Sequence, residues 1–147
     1  MQKKYKIGIG SDHAGYDLKS LINDYLQEEG YVIKDVGPNS TESTDYPDYA
    51  HPVAQLVTSA MVDFGVLICG SGNGIGMTAN KHNDVRAALC WNKEIAELAR
   101  KHNNANVLAL PARFINEKDG KDIVMAFIKT EFEGGRHQRR VDKINKS

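Results

Sequence analysis

The sequence carries no excess of charge of either sign. Its 19 lysine and arginine residues balance 19 aspartate and glutamate residues, so the whole molecule offers no general attraction for nucleic acid or for a membrane surface. We therefore expect neither partner, and any anion must be bound by a local arrangement of groups. No apolar run approaches the roughly 18 residues that a membrane-spanning helix requires.

Cysteine is scarce, and no export signal is recognisable. The apolar stretch near the start is interrupted by Gly8 and Gly10 and is too short for a secretory signal. We therefore expect a cytoplasmic protein in which Cys69 and Cys90 are free thiols. The sequence has no second cysteine pair, and three histidines lack a partner at metal-ligand spacing, so no metal site is predicted. These histidines are His51, His82 and His137.

The length and the apolar pattern predict one α/β domain over residues 1–147. Short apolar runs, apolar enough to be buried on both faces, alternate with segments of helical period. The predicted strands are residues 5–10, 31–36, 65–69, 86–91 and 106–110. Such alternation is typical of an open five-stranded parallel sheet with helices on both faces, a Rossmann-like three-layer arrangement.

The helical segments carry narrow apolar stripes. Their members are Leu18, Leu21, Ile22, Tyr25 and Leu26 in the first helix, Val53, Leu56, Val57, Ala60 and Met61 in the second, Ile95, Leu98 and Ala99 in the fourth, and Ile123, Val124, Phe127 and Ile128 in the fifth. A third helix should begin inside a glycine-rich segment. Residues 38–48 have the composition of a loop, and a turn at Gly134 and Gly135 should precede a basic C-terminal helix that extends toward Ser147.

Ligands of open parallel sheets bind beyond the carboxyl ends of the strands. At those ends the sequence places Asp12 and His13 after the first strand, Cys69 at the end of the third, and Arg113 after the fifth. Asp12 and His13 can be ligand groups, or they can be a helix cap and its solvated neighbour. The residue types alone do not choose between these interpretations.

Four glycines alternate after the third strand and allow the backbone amides to approach a bound anion or oxyanion. They are Gly70, Gly72, Gly74 and Gly76. One alternative is a dinucleotide-binding module, because Gly74, Gly76 and Ala79 match the spacing G-x-G-x-x-A, although the next predicted strand has no acid at its end. The other alternative is that the glycines serve only helix packing.

Cys69 has the best position for chemistry. A thiol at a helix N-terminus feels the positive end of the helix dipole, which favours the thiolate, and a thiolate can act as a base. The alternative is a small buried hydrophobe at a strand end. Cys90 has no such loop beside it, and for that residue the buried role is the expected one.

Together, the motifs resemble those of the ribose-5-phosphate isomerase B family, which also includes the allose- and galactose-6-phosphate isomerases. The matching segments are residues 10–15, GSDHAG; 44–47, TDYP; 67–76, LICGSGNGIG; 79–81, ANK; 102–107, HNNANV; and 133–141, EGGRHQRRV. Some relatives replace the cysteine and have a glutamate at the position of Ile75. This sequence keeps Cys69 and has no such glutamate, so the resemblance indicates Cys69 as the base.

The resemblance implies further roles for individual residues. It makes Cys69 the proton acceptor, His102 the acid that assists ring opening, and Ser71 with the amides of residues 70–74 the pocket for an enediolate. It also implies a set of substrate ligands, which includes the residues of this pocket: Asp12, His13, Tyr46, Gly70, Ser71, Gly72, Asn73, Gly74, Asn103, Arg113, Arg136 and Arg140. Asp12 belongs to the catalytic group as well. Arg136 and Arg140 are four residues apart on one helical face, so both can donate hydrogen bonds to one phosphate. No cofactor is implied.

The substrate and the assembly follow from these expectations. The expected reaction interconverts ribose 5-phosphate and ribulose 5-phosphate, with allose or galactose 6-phosphate as the alternative substrate. The fourth helix should carry His102 and Asn103 to the edge of the sheet opposite Cys69. His102 can be a core residue on the stripe of Ile95 and Leu98, but the role implied by the resemblance requires a two-fold dimer that shares its active sites. A dimer of dimers is a further option.

Overall fold

The computed structural model describes residues 4–145 and contains a five-stranded parallel sheet. The strands are β1 (Lys6–Ser11), β2 (Val32–Asp35), β3 (Phe64–Cys69), β4 (Ala87–Leu89) and β5 (Val107–Pro111). Their spatial order is β2-β1-β3-β5-β4, and each neighbouring pair runs parallel. The predicted open parallel sheet is therefore confirmed.

Six helices surround the sheet in the described part of the chain. They are α1 (Tyr16–Glu28), α2 (Pro47–Thr58), α3 (Asn73–Ala79), α4 (Lys93–Asn103), α5 (Glu117–Lys129) and α6 (Arg136–Asp142). As predicted, α3 begins inside the glycine-rich loop, and α6 follows a turn at Gly134 and Gly135. The end of the predicted basic helix, residues 146–147, lies outside the described residues. Within residues 4–145, no helix has the length and apolar character needed to cross a membrane.

The core has two layers, one on each face of the sheet, because successive side chains of the three central strands point to opposite faces. One layer joins Ile7, Ile9, Val66, Ile68, Leu108 and Leu110 to α1, α4 and α5. The other joins Leu67, Cys69, Val107 and Ala109 to α2 and α3. Burial of a side chain the size of leucine or isoleucine contributes about 1.5–3 kcal/mol, so this alternation keeps β1, β3 and β5 in the centre.

The outer strands are less buried than the sequence predicted. β2 has three exposed residues and one half-buried residue, and the three residues of β4 are half-buried. Both strands lie at edges of the sheet, where one neighbour is missing and helices cover the faces less completely. Apolar composition alone does not distinguish an edge strand from a central one.

The boundaries and stripes of two helices also differ from the prediction. α2 begins at Pro47, inside the segment predicted as a loop, and ends at Thr58, so Ala60 and Met61 lie beyond it and are exposed. Ala60 has a φ of 60°, a left-handed conformation that ends the helix. The predicted core stripe of α4 is confirmed for Ala99, which is buried, but it is wrong for Ile95 and Leu98, which are 44% and 37% exposed. The buried face of α4 consists of Ala96, Ala99 and Arg100.

Arg100 explains why α4 presents this face to the core. Its guanidinium donates hydrogen bonds to the carbonyls of Ala105 (2.6 Å) and Thr130 (3.1 Å) and to Oδ1 of Asn104 (3.0 Å). A buried guanidinium requires such acceptors. Leu98 lies about 200° around the helix from Arg100, so the arginine turns the leucine towards solvent.

Candidate functional site

Three strands supply the edge of the sheet at which the candidate site lies. The order of strands reverses between β1 and β3: the chain leaves β1 towards β2 and later returns to form β3 on the other side of β1. Such a reversal opens a crevice at the carboxyl ends of the strands. A cavity of about 520 Å³ lies there. We call it the carboxyl-edge pocket, and it is lined by Asp12, Tyr46, Cys69, Gly70, Ser71, Gly74, Arg113 and Phe114.

Cys69 ends β3 in the wall of this pocket and is 5% exposed. Its Sγ accepts a hydrogen bond from the backbone N–H of Gly72 at 3.2 Å. Gly72 has a φ of 77°, in the left-handed region that glycine adopts readily, and this turn aims its amide back at the sulfur. The sulfur is therefore held at the start of the glycine-rich loop by a backbone donor.

Ser71 and Gly74 complete the loop. The Ser71 Oγ accepts a hydrogen bond from the N–H of Asn73 at 3.2 Å, which leaves the hydroxyl proton able to be donated into the pocket. Gly74 lies against the ring of Tyr46, and a Cβ at this position would lie 2.5 Å from the ring. Tyr46 can therefore close one side of the pocket only because residue 74 is a glycine. Asn73 is exposed and does not line the pocket.

The segment after β1 holds Asp12 and His13, for which the sequence left two roles open, and the N-cap residue of α1 is Gly15 rather than Asp12. Asp12 lines the pocket, and its Oδ1 also accepts a hydrogen bond from the N–H of Gly15 at 3.0 Å, just before α1. His13 exchanges two hydrogen bonds with Thr44: its N–H donates to Oγ1 at 3.0 Å, and its Nδ1 accepts from the Thr44 N–H at 3.1 Å. Because Nδ1 accepts, the neutral ring carries its proton on Nε2 and can donate there.

Arg113 and Phe114 form the side of the pocket below β5. The Arg113 guanidinium lies against Gly70, and the Arg113 N–H donates to the Gly70 carbonyl at 3.0 Å. Sequence reasoning missed Phe114, which is 58% exposed and packs on Trp91 with a distance of 5.1 Å between ring centroids. Its position one residue after Arg113, close to the end of β5, is the sequence feature that could have indicated a place in the pocket.

The remaining predicted ligands lie at the other edge of the sheet. β5 follows α4 at its amino end, so the last residues of α4, His102 and Asn103, lie at the amino edge. We call His102, Asn103, Arg136 and Arg140 the amino-edge group. Asn103 lines a different cavity, of about 640 Å³. Thus the structure does not bring the amino-edge group into the carboxyl-edge pocket of the same chain.

The start of α6 packs on the end of α4. The rings of His102 and His137 stack with centroids 4.3 Å apart, and the Glu133 N–H donates to the Lys101 carbonyl at 3.1 Å. Desolvation lowers the pKa of His137, and the charges of His102, Arg136 and Arg140 lower it further, against the opposing effect of Glu133. No metal-ligand partner for His137 is evident from sequence spacing, but the fold brings His102, Glu133 and His137 together.

Two alternatives from the sequence can be judged by geometry. Gly74, Gly76 and Ala79 lie inside α3, and the Gly76 N–H donates to the Gly72 carbonyl at 3.2 Å. This amide serves the helix, so the three residues do not form the phosphate turn of a dinucleotide site. Cys90 is fully buried, and burial raises its pKa to about 12, which keeps this thiol protonated and inert.

Known proteins are similar to this chain along most of its length. A family model described as Ribose/Galactose Isomerase matches residues 7–144. Ribose-5-phosphate isomerase B of Escherichia coli is 46% identical over 139 residues, which cover 95% of this chain and 93% of that protein.

Solved structures are also similar to this one. A ribose 5-phosphate isomerase from Thermotoga maritima matches with a TM-score of 0.95 and 48% identity over 97% of this chain and 98% of the other. Ribose-5-phosphate isomerase B of Mycoplasma genitalium, solved with bound ribulose-5-phosphate, matches with a TM-score of 0.90 and 48% identity over 95% of this chain and 93% of the other.

The contact between Gly74 and Tyr46 can be tested with two neighbouring glycines of α3. Replacing a helical glycine with alanine gains up to about 1 kcal/mol of helix propensity. At Gly76 the added Cβ would meet the Ala109 Cβ at 3.4 Å, an ordinary contact. We therefore expect Gly76→Ala to raise the free energy of unfolding in urea, and Gly74→Ala to give no gain or to lower it.

A Tyr46→Ala background provides the control for this prediction. With the ring removed, Gly74→Ala should stabilise the protein about as much as Gly76→Ala does, by up to about 1 kcal/mol. A full gain from Gly74→Ala while Tyr46 is present would show that the ring does not lie on the loop.

Proposed function

This chain belongs to the ribose/galactose isomerase family, and we propose that it interconverts ribose 5-phosphate and ribulose 5-phosphate with Cys69 as the base. One observation carries the assignment of the base: the Cys69 thiol lies in the wall of the carboxyl-edge pocket and accepts the amide hydrogen bond of Gly72. The bound ribulose-5-phosphate of the Mycoplasma genitalium relative supports the substrate.

The isomerisation moves one carbon-bound proton. The Cys69 thiolate removes the proton from C2 of the open-chain aldose, and the electron pair of that bond forms the enediolate as the C1 carbonyl becomes a C–O⁻ group. The same sulfur then returns a proton to C1. O1 gains a proton and O2 loses one, so the ketose has the same atoms as the aldose, and no redox cofactor takes part.

The charge that develops on the enediolate oxygens is matched by nearby donors. The hydroxyl of Ser71 can donate to one oxygen, because its own Oγ already accepts from Asn73. In the loop of residues 70–74 the amides of Gly72 and Asn73 already donate to Cys69 and Ser71, so the remaining amides of the loop are proposed as the further donors. Preorganised donors of this kind are typically worth about 3 kcal/mol each in the transition state. Asp12 and Tyr46, on the wall of the same pocket, are proposed to bind sugar hydroxyls.

Ring opening and phosphate binding are assigned to other residues. His102 gives a proton to the ring oxygen as the bond from that oxygen to C1 breaks, and the anomeric hydroxyl gives its proton to the Asp12 carboxylate in the pocket wall. The C1 carbonyl forms, and the net charge of the sugar is unchanged. Arg136 and Arg140 share one face of α6 and are exposed, so both guanidinium groups can contact a phosphate. The proposed ligands that complete the substrate site are His13, Gly70, Gly72, Asn73, Gly74, Asn103 and Arg113.

These assignments require two copies of the chain. The carboxyl-edge pocket and the amino-edge group lie at opposite ends of β5, and a strand of five residues spans about 17 Å. The His102 side chain cannot cross that distance. We therefore propose a homodimer in which the pocket of one subunit receives the amino-edge group of the other.

The exposed face of α4 supports a particular geometry for this dimer. Ile95, Leu98 and His102 follow one another on one side of the helix, and Trp91, which is 50% exposed, precedes them at the carboxyl edge. We call Trp91, Ile95 and Leu98 the α4 stripe. An exposed apolar patch beside polar groups is typical of an interface.

We propose a two-fold axis perpendicular to α4, which pairs the α4 stripe with its own copy and runs the two helices antiparallel. α4 has 11 residues and is therefore about 16 Å long, close to the length of β5. Antiparallel pairing then carries the partner subunit's His102 from the amino edge to the carboxyl edge. The same two-fold axis thus forms the proposed interface and brings Cys69 of one subunit near His102 of the other.

The isomerase activity is tested with a panel of aldose phosphates and two cysteine variants. The wild-type protein should convert ribose 5-phosphate faster than allose or galactose 6-phosphate, without added nicotinamide. Cys69→Ala should reduce kcat at least about a hundredfold, because general-base catalysis typically contributes 10²–10⁴-fold. Cys90→Ala, which removes the buried thiol in the other core layer of the sheet, should keep near wild-type kcat.

The outcomes of that panel separate the parts of the proposal. Faster turnover of a six-carbon substrate would overturn the substrate assignment but not the chemistry. A folded Cys69→Ala protein with more than a few per cent of wild-type turnover would exclude Cys69 as the base.

The dimer interface is tested by placing a charge in the α4 stripe. Leu98→Glu should yield monomers in sedimentation experiments at assay concentration, and kcat/KM should fall in proportion to the dimer that is lost. Met61→Glu is the matched control, because Met61 is 55% exposed and lies after α2, outside the α4 stripe. An active wild-type monomer, or a fully active Leu98→Glu dimer, would contradict the proposed interface.

A further inference from the structure

Three side chains of the types that can bind a metal ion converge where α4 meets α6. They are His102 near the end of α4, Glu133 in the segment before α6, and His137 in the first turn of α6. One ligand atom from each lies within 4.8 Å of the other two. The Nε2 atoms of His102 and His137 are 3.8 Å and 3.6 Å from the same carboxylate oxygen of Glu133.

These distances are too long for hydrogen bonds, for which N–H···O contacts of about 2.7–3.2 Å are usual. The Glu133 oxygen therefore lies between two imidazoles without a hydrogen bond to either of them. Zinc binds nitrogen and oxygen ligands at about 2.0–2.2 Å, so a central ion needs ligand atoms no more than about 4 Å apart. A small side-chain rotation meets this requirement, since His102 is 43% and Glu133 is 53% exposed.

The backbone limits how far the three groups can separate. The N–H of Glu133 donates to the Lys101 carbonyl, which fixes the Glu133 segment to the residue before His102. The buried guanidinium of Arg100 fixes the end of α4 to the carbonyls of Ala105 and Thr130. His137 is only 13% exposed, so its ring is already largely ordered.

We propose that His102, Glu133 and His137 form a Zn²⁺ site, and that zinc bound there takes His102 away from its role as the acid. Two imidazoles and one carboxylate are a known three-ligand set for zinc and leave a fourth position open for water. The inhibition rests on the proposed function, but the metal binding does not. Arg136 and Arg140 oppose a cation electrostatically, so we expect weaker binding than at a closed four-ligand site.

The site is tested by titrating Zn²⁺ alone into the full-length Cys69→Ala protein in a calorimeter. This background removes the thiol that could bind zinc independently. A buffer of about pH 8 without phosphate keeps histidines of ordinary pKa neutral. We expect one zinc per subunit. His137→Asn and Glu133→Gln should each weaken binding at least about tenfold, since even an outer-shell change often costs 10–100-fold.

His82→Asn is the matched control. It disrupts the other histidine pair of the described chain, in which His51 Nδ1 and His82 Nε2 are 2.7 Å apart. This variant should bind zinc as tightly as its Cys69→Ala parent. No zinc binding by the parent, or a loss of binding in His82→Asn but not in folded His137→Asn, would overturn the site.

Inhibition is measured separately with the wild-type thiol in place. Zinc should lower isomerase activity, a chelator should restore it, and His137→Asn should need at least about tenfold more zinc for the same inhibition, in line with its weaker binding. Binding to the three residues without inhibition would contradict the role of His102 in catalysis and would leave the metal site intact.

Discussion

The direction of a parallel sheet controls where the chemical groups of this protein can lie. Every strand ends at the carboxyl edge, and the helix that follows must return the chain to the amino edge. Cys69 ends β3, so it lies at the first edge, whereas His102 ends α4 and lies at the second. Residues that are neighbours in the proposed chemistry are thus separated by the length of the sheet, and only a second copy of the chain can join them.

A buried arginine links this constraint to the proposed surface for association. The guanidinium of Arg100 must reach the carbonyls of Ala105 and Thr130, and this requirement determines how α4 is rotated on the sheet. The opposite side of the helix, with Ile95 and Leu98, consequently points outwards. Exposed apolar surface costs about 25 cal/mol for each Å² that could be buried. Covering the α4 stripe with its copy would recover that free energy and complete the site at the same time.

Much of the fold could be predicted from the sequence because the strong signals are local. The apolar runs of β1, β3 and β5 and the glycines after Cys69 gave the sheet, its carboxyl edge and the start of α3. Burial depends on neighbours that a single segment does not reveal, and so the exposure of β2 was missed. The stripe of α4 was interpreted as core because Ile95 and Leu98 are apolar, whereas the buried position belongs to the paired Arg100.

The candidate site was predictable to the extent that its residues end strands. Cys69 ends β3, Asp12 and Arg113 come just after β1 and β5, and all three line one pocket. Tyr46, which packs on Gly74, was placed there by family resemblance alone. The grouping of Glu133 with His102 and His137 depends on how the segment before α6 folds back on α4, and this long-range packing leaves no pattern in the spacing of the residues.

The shared active site is tested most directly by mixing inactive Cys69→Ala subunits with inactive His102→Ala subunits under conditions of subunit exchange. A mixed dimer then contains one pocket with both catalytic groups intact, so activity should recover up to about one wild-type site per mixed dimer. If subunit exchange is demonstrated and no activity returns, the two residues act within one chain, and the account is contradicted.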